Sequence, residues 1–129
     1  MKNIKRLIPI ILSSLLLTAC TAPGNSPGYK QITMSEAVKM METEKNYIIL
    51  DVRRADEYAS GHIPGAINVA NESIGTLEIP ELPDKAQLIL VYCRSGNRSK
   101  QASEKLVKLG YTNIVEFGGI NDWAGEIEK

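Results

Sequence analysis

The sequence predicts an α/β fold in which a mostly parallel sheet carries helices on both faces. Two apolar runs without a charged residue, 47–50 and 88–92, are typical of strands that are covered on both faces. Segments with helical spacing of apolar residues alternate with such runs, which indicates crossover connections between parallel strands. Because ligands of such sheets bind beyond the carboxyl ends of the strands, we expect the functional site at the end of 88–92.

The first elements of the domain are a short strand, Gln31–Ile32, and a helix. Thr33 and Glu36 have the spacing of a capping box, in which the hydroxyl and the carboxylate bond the free amides of the first helical turn. Four apolar residues then fall on one helical face: Met34, Ala37, Val38 and Met41. We interpret this stripe as core packing and not as a ligand site.

The remaining elements follow the same alternation. After the strand 47–50 we expect one helical turn at 56–60, a third strand at 66–70 and an irregular segment at 71–85, which contains two prolines. The strand 88–92 leads through a polar loop into a helix.

The C-terminal elements complete the domain. The helix spans 99–109, with a glycine as its stop signal, and a strand follows at 114–117. A last helix is predicted to carry Trp123 and Ile127.

The N-terminal segment has the features of a targeting signal. Three basic residues precede the apolar run 7–17, which is shorter than an ordinary membrane-spanning helix. The small residues before Cys20 resemble the lipobox of bacterial lipoproteins, in which the chain is cut before the cysteine and the cysteine is lipidated. The resemblance implies a signal peptide at 1–19, lipidated Cys20 and a membrane-anchored protein outside the cytoplasm, at the bacterial cell envelope.

The composition of the rest indicates a tether and one domain. Residues 20–28 are rich in Pro, Gly and Ser and are predicted to form a flexible tether, whereas 29–129 suffice for a single core. Removing 1–19 takes away three of the 15 basic residues, so that 12 remain against 15 acidic residues. This mildly acidic balance gives no indication of nucleic-acid binding.

The segment 93–99, Cys-Arg-Ser-Gly-Asn-Arg-Ser, is the most informative part of the chain. It lies between a predicted strand and a predicted helix, where unpaired amides and the helix dipole attract anions. Such donors and nearby cations also stabilise a thiolate, and Arg94 and Arg98 supply the cations. With Cys20 lipidated, Cys93 is the remaining free thiol, and the loop suits attack by this sulfur on a small anionic substrate.

Three segments together resemble the rhodanese family. They are 51–53 with 57–58 and 61–68, the loop 93–99, and Gly118-Gly119 followed by Trp123. The resemblance spans 29–129 and implies a five-stranded parallel sheet flanked by helices. It also implies sulfur transfer: Cys93 takes a sulfane sulfur from thiosulfate or from a persulfide or polysulfide donor, and a thiol or cyanide removes it.

The resemblance assigns roles to the loop residues. Cys93 is the nucleophile, and the substrate-binding residues are Arg94, Ser95, Gly96, Asn97, Arg98 and Ser99. The guanidinium groups of Arg94 and Arg98 are suited to an anionic donor. The hydroxyls of Ser95 and Ser99 have two open roles, since they can bond the bound sulfur or cap the helix.

Three further residues are expected to support the fold. In rhodanese-like domains the residues that match Asp51 and Arg53 brace the active loop through hydrogen bonds and an ion pair. His62 lies in a tight Gly-His-Ile-Pro-Gly turn, so we expect it to hold backbone and not to act as a general base. No cluster of His, Cys and carboxylates indicates a metal, and we expect no cofactor.

The loop length favours sulfur transfer over related chemistries. Four residues separate Cys93 from Arg98. Relatives that resemble dual-specificity phosphatases and arsenate reductases have one residue more, which makes room for phosphate or arsenate. The same motifs also fit a non-catalytic sulfur carrier or partner-binding module, since fold alone does not fix function. A redox sensor is less well supported, because the sequence holds no resolving cysteine for Cys93.

Overall fold

The computed structural model describes residues 25–26 and 28–129 and shows the predicted α/β fold. The predicted signal peptide, Cys20 and most of the predicted tether lie outside the described residues. The strands are β1 (Asn25–Ser26), β2 (Tyr29–Gln31), β3 (Tyr47–Asp51), β4 (Ile67–Asn68), β5 (Leu88–Cys93) and β6 (Ile114–Gly119). The helices are α1 (Met34–Thr43), α2 (Ala55–Ser60) and α3 (Asn97–Lys108), with short 3-10 helices at Asn71–Ser73 and Ile120–Asp122.

Five parallel strands form the sheet in the order β2-β6-β5-β3-β4, and β1 adds an antiparallel edge to β2. This order confirms the predicted parallel sheet. β1 lies within the predicted tether, and there Asn25 pairs with Lys30. No helix in residues 28–129 has the length and apolar character that crossing a bilayer would require.

The central strand β5 is covered on both faces, as its unbroken apolar sequence predicts. Alternate residues enter two separate cores, with Ile89 and Val91 facing α3 while Leu90 and Tyr92 face α1 and α2. All four of these side chains are inaccessible to solvent. The last residue of the strand, Cys93, is therefore held at a fixed position on the carboxyl edge of the sheet.

The sequence signals predict the start of α1 correctly and misplace the start of α3. The capping box at α1 is confirmed, since Glu36 N donates to Thr33 Oγ1 at 3.1 Å and Thr33 N donates to the Glu36 carboxylate at 2.9 Å. α3 begins at Asn97, two residues before its predicted start, because Gly96 precedes it in a left-handed conformation with φ of 116°. β4 is shorter than the predicted strand.

The predicted last helix is wrong. After the 3-10 turn at Ile120–Asp122 the chain is non-helical and bends at Gly125, and Glu128 exchanges two backbone hydrogen bonds of 2.9 Å with His62. Trp123 Nε1 donates to the carbonyl of Glu126 at 2.9 Å. The pairing with His62 uses the N–H of Glu128, which a helix would have bonded internally, so the apolar spacing of this segment does not produce a helix.

Candidate active site

Cys93 is a free thiol at the point where β5 turns into α3. The residue is 1% exposed, and the backbone N–H of Gly96 donates to its Sγ at 3.0 Å. The loop closes tightly because Gly96 adopts a positive φ that a residue with a side chain rarely takes. The sulfur thus lies at the N-terminus of α3, where free amides and the helix dipole favour a negative charge.

The end of β6 makes room for this loop. A Cβ added to Gly119 would overlap the carbonyl oxygen of Arg94 and would lie 2.5 Å from the amide nitrogen of Ser95. The same carbonyl accepts a hydrogen bond of 3.1 Å from Asn121 N. Close backbone approach therefore requires glycine at position 119 and explains why the Gly-Gly pair accompanies the cysteine loop.

The two arginines of the loop have different surroundings. Arg94 is exposed, whereas Arg98 forms a bidentate ion pair with Glu57 of α2, with distances of 2.6 Å from Nη1 to Oε1 and 3.1 Å from Nη2 to Oε2. These bonds with Arg98 lower the pKa of Glu57 to about 2. Arg98 is thus partly neutralised by the protein, and Arg94 presents its charge to solvent.

The two serines also differ. Ser95 is exposed, but Ser99 is fully buried, and its Oγ lies 3.4 Å from Cys93 Sγ. Ser99 Oγ also lies 2.6 Å from Glu116 Oε1 and 2.8 Å from the carbonyl of Gly96. Ser99 does not cap α3, whose N-cap residue is Gly96. Its hydroxyl instead contacts the sulfur of Cys93.

A second polar cluster follows β3 on the same edge of the sheet. Asp51 is fully buried and pairs with Arg53, whose Nη2 also donates to the carbonyl of Gly61 at 2.7 Å. Tyr92 donates to Asp51 Oδ2 at 2.7 Å and accepts a bond of 3.1 Å from Ile63 N. Burial raises the pKa of Tyr92 well above its ordinary value. This cluster is hydrogen-bonded to the backbone of the 61–63 turn. Its member Tyr92 directly precedes Cys93 in the chain.

The sequence of the domain matches a known family model. The model described as a rhodanese-like domain covers residues 33–126. The chain belongs to the rhodanese-like domain family.

Relatives of this rhodanese-like domain include named enzymes. Thiosulfate sulfurtransferase PspE of Escherichia coli is 37% identical over 75 residues, covering 58% of this chain and 72% of that protein. Thiosulfate sulfurtransferase GlpE of Coxiella burnetii is 32% identical over 96 residues, covering 74% of this chain and 87% of that protein.

The solved structures include a similar fold. A structure of rhodanese with anions from E. coli has a TM-score of 0.58 and 35% identity, covering 64% of this chain and 98% of that chain. Other relatives are much longer: the rhodanese-like domain chain spans 24% and 22% of the adenylyltransferase and sulfurtransferase proteins of Ogataea parapolymorpha and Candida albicans.

His62 of the rhodanese-like domain lies outside the cysteine loop in a turn that its ring fastens. Its Nδ1 lies 2.9 Å from the carbonyl oxygen of Tyr58, and the two aromatic rings stack at 3.8 Å. Its Nε2 lies 3.7 Å from the Glu128 carboxylate. The ring therefore joins α2 to the C-terminal segment.

Sequence reasoning missed Glu116, although the chain carried a signal for it. This glutamate interrupts the otherwise apolar segment 114–117 and is 3% exposed in β6. Besides its contact with Ser99, Oε1 accepts a bond of 2.8 Å from Gly118 N. A charged residue inside a strand that is predicted to be buried marks a position with a specific polar partner.

Proposed function

We propose that this rhodanese-like domain is a sulfurtransferase that carries a sulfane sulfur on Cys93. The observation that carries the proposal is the position of Cys93 Sγ, buried at the start of α3 with the Gly96 amide 3.0 Å away. This environment favours a thiolate and also favours the persulfide anion that replaces it. The relatives named thiosulfate sulfurtransferase support the same chemistry.

The reaction has two balanced steps. The Cys93 thiolate attacks the outer sulfur of thiosulfate, the sulfur–sulfur bond of thiosulfate breaks, and sulfite leaves with the bonding electron pair. A persulfide or polysulfide donor reacts in the same way and releases a thiolate or a shorter polysulfide. Cyanide or a thiol then attacks the outer sulfur of the Cys93 persulfide, and the Cys93 thiolate is restored.

The loop stabilises negative charge, attracts the donor and restricts access to the sulfur. The amide of Gly96 is already directed at Sγ and requires no rearrangement when negative charge moves between the two sulfurs. The exposed guanidinium of Arg94 attracts the anionic donor to the loop. Because Cys93 is 1% exposed, a donor reaches it only with a narrow terminal atom such as the outer sulfur of thiosulfate.

Replacement of the nucleophile tests this function. In a full-length chain that carries Cys20→Ala, Cys93 is the single thiol. We expect Cys93→Ser in this background to abolish thiocyanate formation from thiosulfate and cyanide, while the unfolding temperature stays near that of the parent. Thiocyanate formation that persists in the Cys93→Ser chain would disprove the assignment.

We also propose that lipidated Cys20 anchors the domain to a membrane of the bacterial cell envelope. The support is the lipobox-like sequence before Cys20 and the tether-like composition of 20–28. A bacterium that expresses the chain is expected to attach labelled fatty acid to the parent and none to Cys20→Ala. Equal labelling of both chains would refute the anchor and leave the sulfur chemistry unaffected.

A further inference from the structure

The proposed sulfur transfer leaves one buried acid of the site without a role. Glu116 lies in β6 with 3% of its surface exposed, and its side chain points to the α3 side of the sheet. A carboxylate that is removed from water is costly unless hydrogen bonds or a cation compensate its charge. None of the ion pairs among the described residues involves Glu116.

Three polar atoms connect this acid to the nucleophile. Cys93 Sγ lies 3.4 Å from Ser99 Oγ, and Ser99 Oγ lies 2.6 Å from Glu116 Oε1. A hydroxyl has one hydrogen to donate and can accept another. The shortest contact of Ser99 Oγ is the one with Glu116 Oε1. When the Ser99 hydrogen is directed at Glu116, the Ser99 oxygen can accept a hydrogen bond from the Cys93 thiol.

Few groups around Glu116 other than Ser99 could exchange a proton with it. Gln31 of β2 and Val91 of β5 are its partners in the sheet register, and neither side chain titrates. On α3, Arg98 is paired with Glu57. Among the described residues, Cys93 is therefore the titratable side chain that shares a hydrogen-bonded partner with Glu116.

We infer that Glu116 accepts the proton of Cys93 through the Ser99 hydroxyl. The S–H bond breaks as the Ser99 oxygen gains that hydrogen, and Ser99 passes its own hydrogen to Glu116 Oε1. The products are a Cys93 thiolate, an intact Ser99 hydroxyl that now donates to it, and a neutral Glu116. The negative charge moves from a buried carboxylate to a sulfur that already accepts the Gly96 amide.

This inference deepens the proposed function but is separable from it. Glu116 acts through Ser99 and is thus a positioning residue for the nucleophile. Its effect concerns the formation of the thiolate, which any thiol reagent reports, whereas the proposed function requires that the thiolate accept sulfur. A chain with the expected alkylation profile and no sulfur transfer would refute the function and leave the relay in place.

The test is the pH profile of Cys93 alkylation by iodoacetamide, a neutral probe, in the full-length chain with Cys20→Ala. Glu116→Gln keeps an oxygen that accepts from Ser99 and Gly118 but cannot take up a proton. When the relay operates, Glu116 is neutral beside the thiolate, and glutamine is neutral as well, so we expect Glu116→Gln to leave the midpoint of the profile unchanged. Glu104→Gln, an exposed acid of α3, is the matched control and should leave the midpoint unchanged.

Two outcomes would overturn the relay. A midpoint that moves to lower pH by about one unit or more in Glu116→Gln would mean that Glu116 stays charged and repels the thiolate. Ser99→Ala provides a second route, because it breaks the relay while Glu116 remains. We expect Ser99→Ala to raise the midpoint by about one unit, because the thiolate loses a donor and Glu116 stays charged, and we expect Glu116→Gln to lower the midpoint in that background. Shifts that are additive in the double variant would contradict the proposal.

Discussion

Two polar clusters on the carboxyl edge of one sheet are built from similar residues and differ in how their charges are compensated. After β3, Asp51 and Arg53 are buried and neutralise each other, and their remaining polar atoms bind Tyr92 and the backbone of Gly61. After β5, Cys93 receives an amide hydrogen, and the charge of Arg94 is exposed to solvent. The same edge therefore provides stability where charges are matched, and it carries the proposed reactive thiol where charge is presented outward.

Replacement of Asp51 should have the largest effect on stability and so show most clearly how the two clusters differ. Asp51→Ala leaves the Arg53 guanidinium buried without its partner, which typically costs about 3–5 kcal/mol in unfolding free energy. Urea denaturation measures this loss, and Asp56→Ala, which breaks an exposed ion pair with Arg54, should have a much smaller effect. A mild effect of Asp51→Ala would show that the β3 cluster is not a stabilising element.

Gly119→Ala should damage the active loop and the stability of the domain together. The added Cβ would overlap the backbone of Arg94 and Ser95, and such overpacking costs about 1–3 kcal/mol. We expect slower sulfur transfer and a lower midpoint of thermal unfolding. Gly75→Ala is the control, because a Cβ there meets no atom within 4 Å. Parental activity in Gly119→Ala would show that the loop does not depend on the close approach of β6.

The Glu57–Arg98 pair should make stability depend on pH in acid. The pKa of Glu57 falls from 4.5 to about 2 in the folded protein, so its contribution is complete above pH 4.5 and is lost as the pH falls through about 2. We expect Glu57→Gln to cost about 1–2 kcal/mol at neutral pH, with the difference from the parent shrinking below pH 4.5. Unfolding curves at several pH values measure this, and a constant difference across that range would contradict the pairing.

Arg94→Ala should have the smallest effect, confined to substrate capture. Since Arg94 is exposed, we expect unchanged stability, a few-fold higher KM for thiosulfate and a weaker dependence of kcat/KM on salt. Lys100→Ala, which removes another exposed cation near the start of α3, is the matched control. An equal rise in KM in both variants would mean that thiosulfate is attracted by the overall electrostatic potential of the protein and not by Arg94 in particular.

The parts of this molecule that local patterns determine were predictable from the sequence. The apolar run of β5 and the polar loop after it place Cys93 correctly, because a buried parallel strand and a helix start each have their own sequence signature. The capping box of α1 depends on two residues three apart, and it is present as predicted.

The contacts that depend on distant segments were not predictable in this way. Arg98 meets Glu57 across 41 positions of the chain, and Ser99 meets Glu116 only because α3 packs over β6. The last predicted helix failed for the same reason, since its backbone bonds His62 in a distant turn. Side-chain partners across elements need the fold itself before they can be assigned.

Sulfur transfer itself is best tested by the intact mass of the full-length Cys20→Ala chain before and after thiosulfate, together with sulfite release. We expect a gain of one sulfur atom on Cys93, equimolar sulfite, and loss of that sulfur with turnover when cyanide or a thiol is added. A chain that gains no sulfur from thiosulfate, persulfide or polysulfide while its Cys93 thiol still titrates would contradict sulfur transfer and favour a partner-binding module.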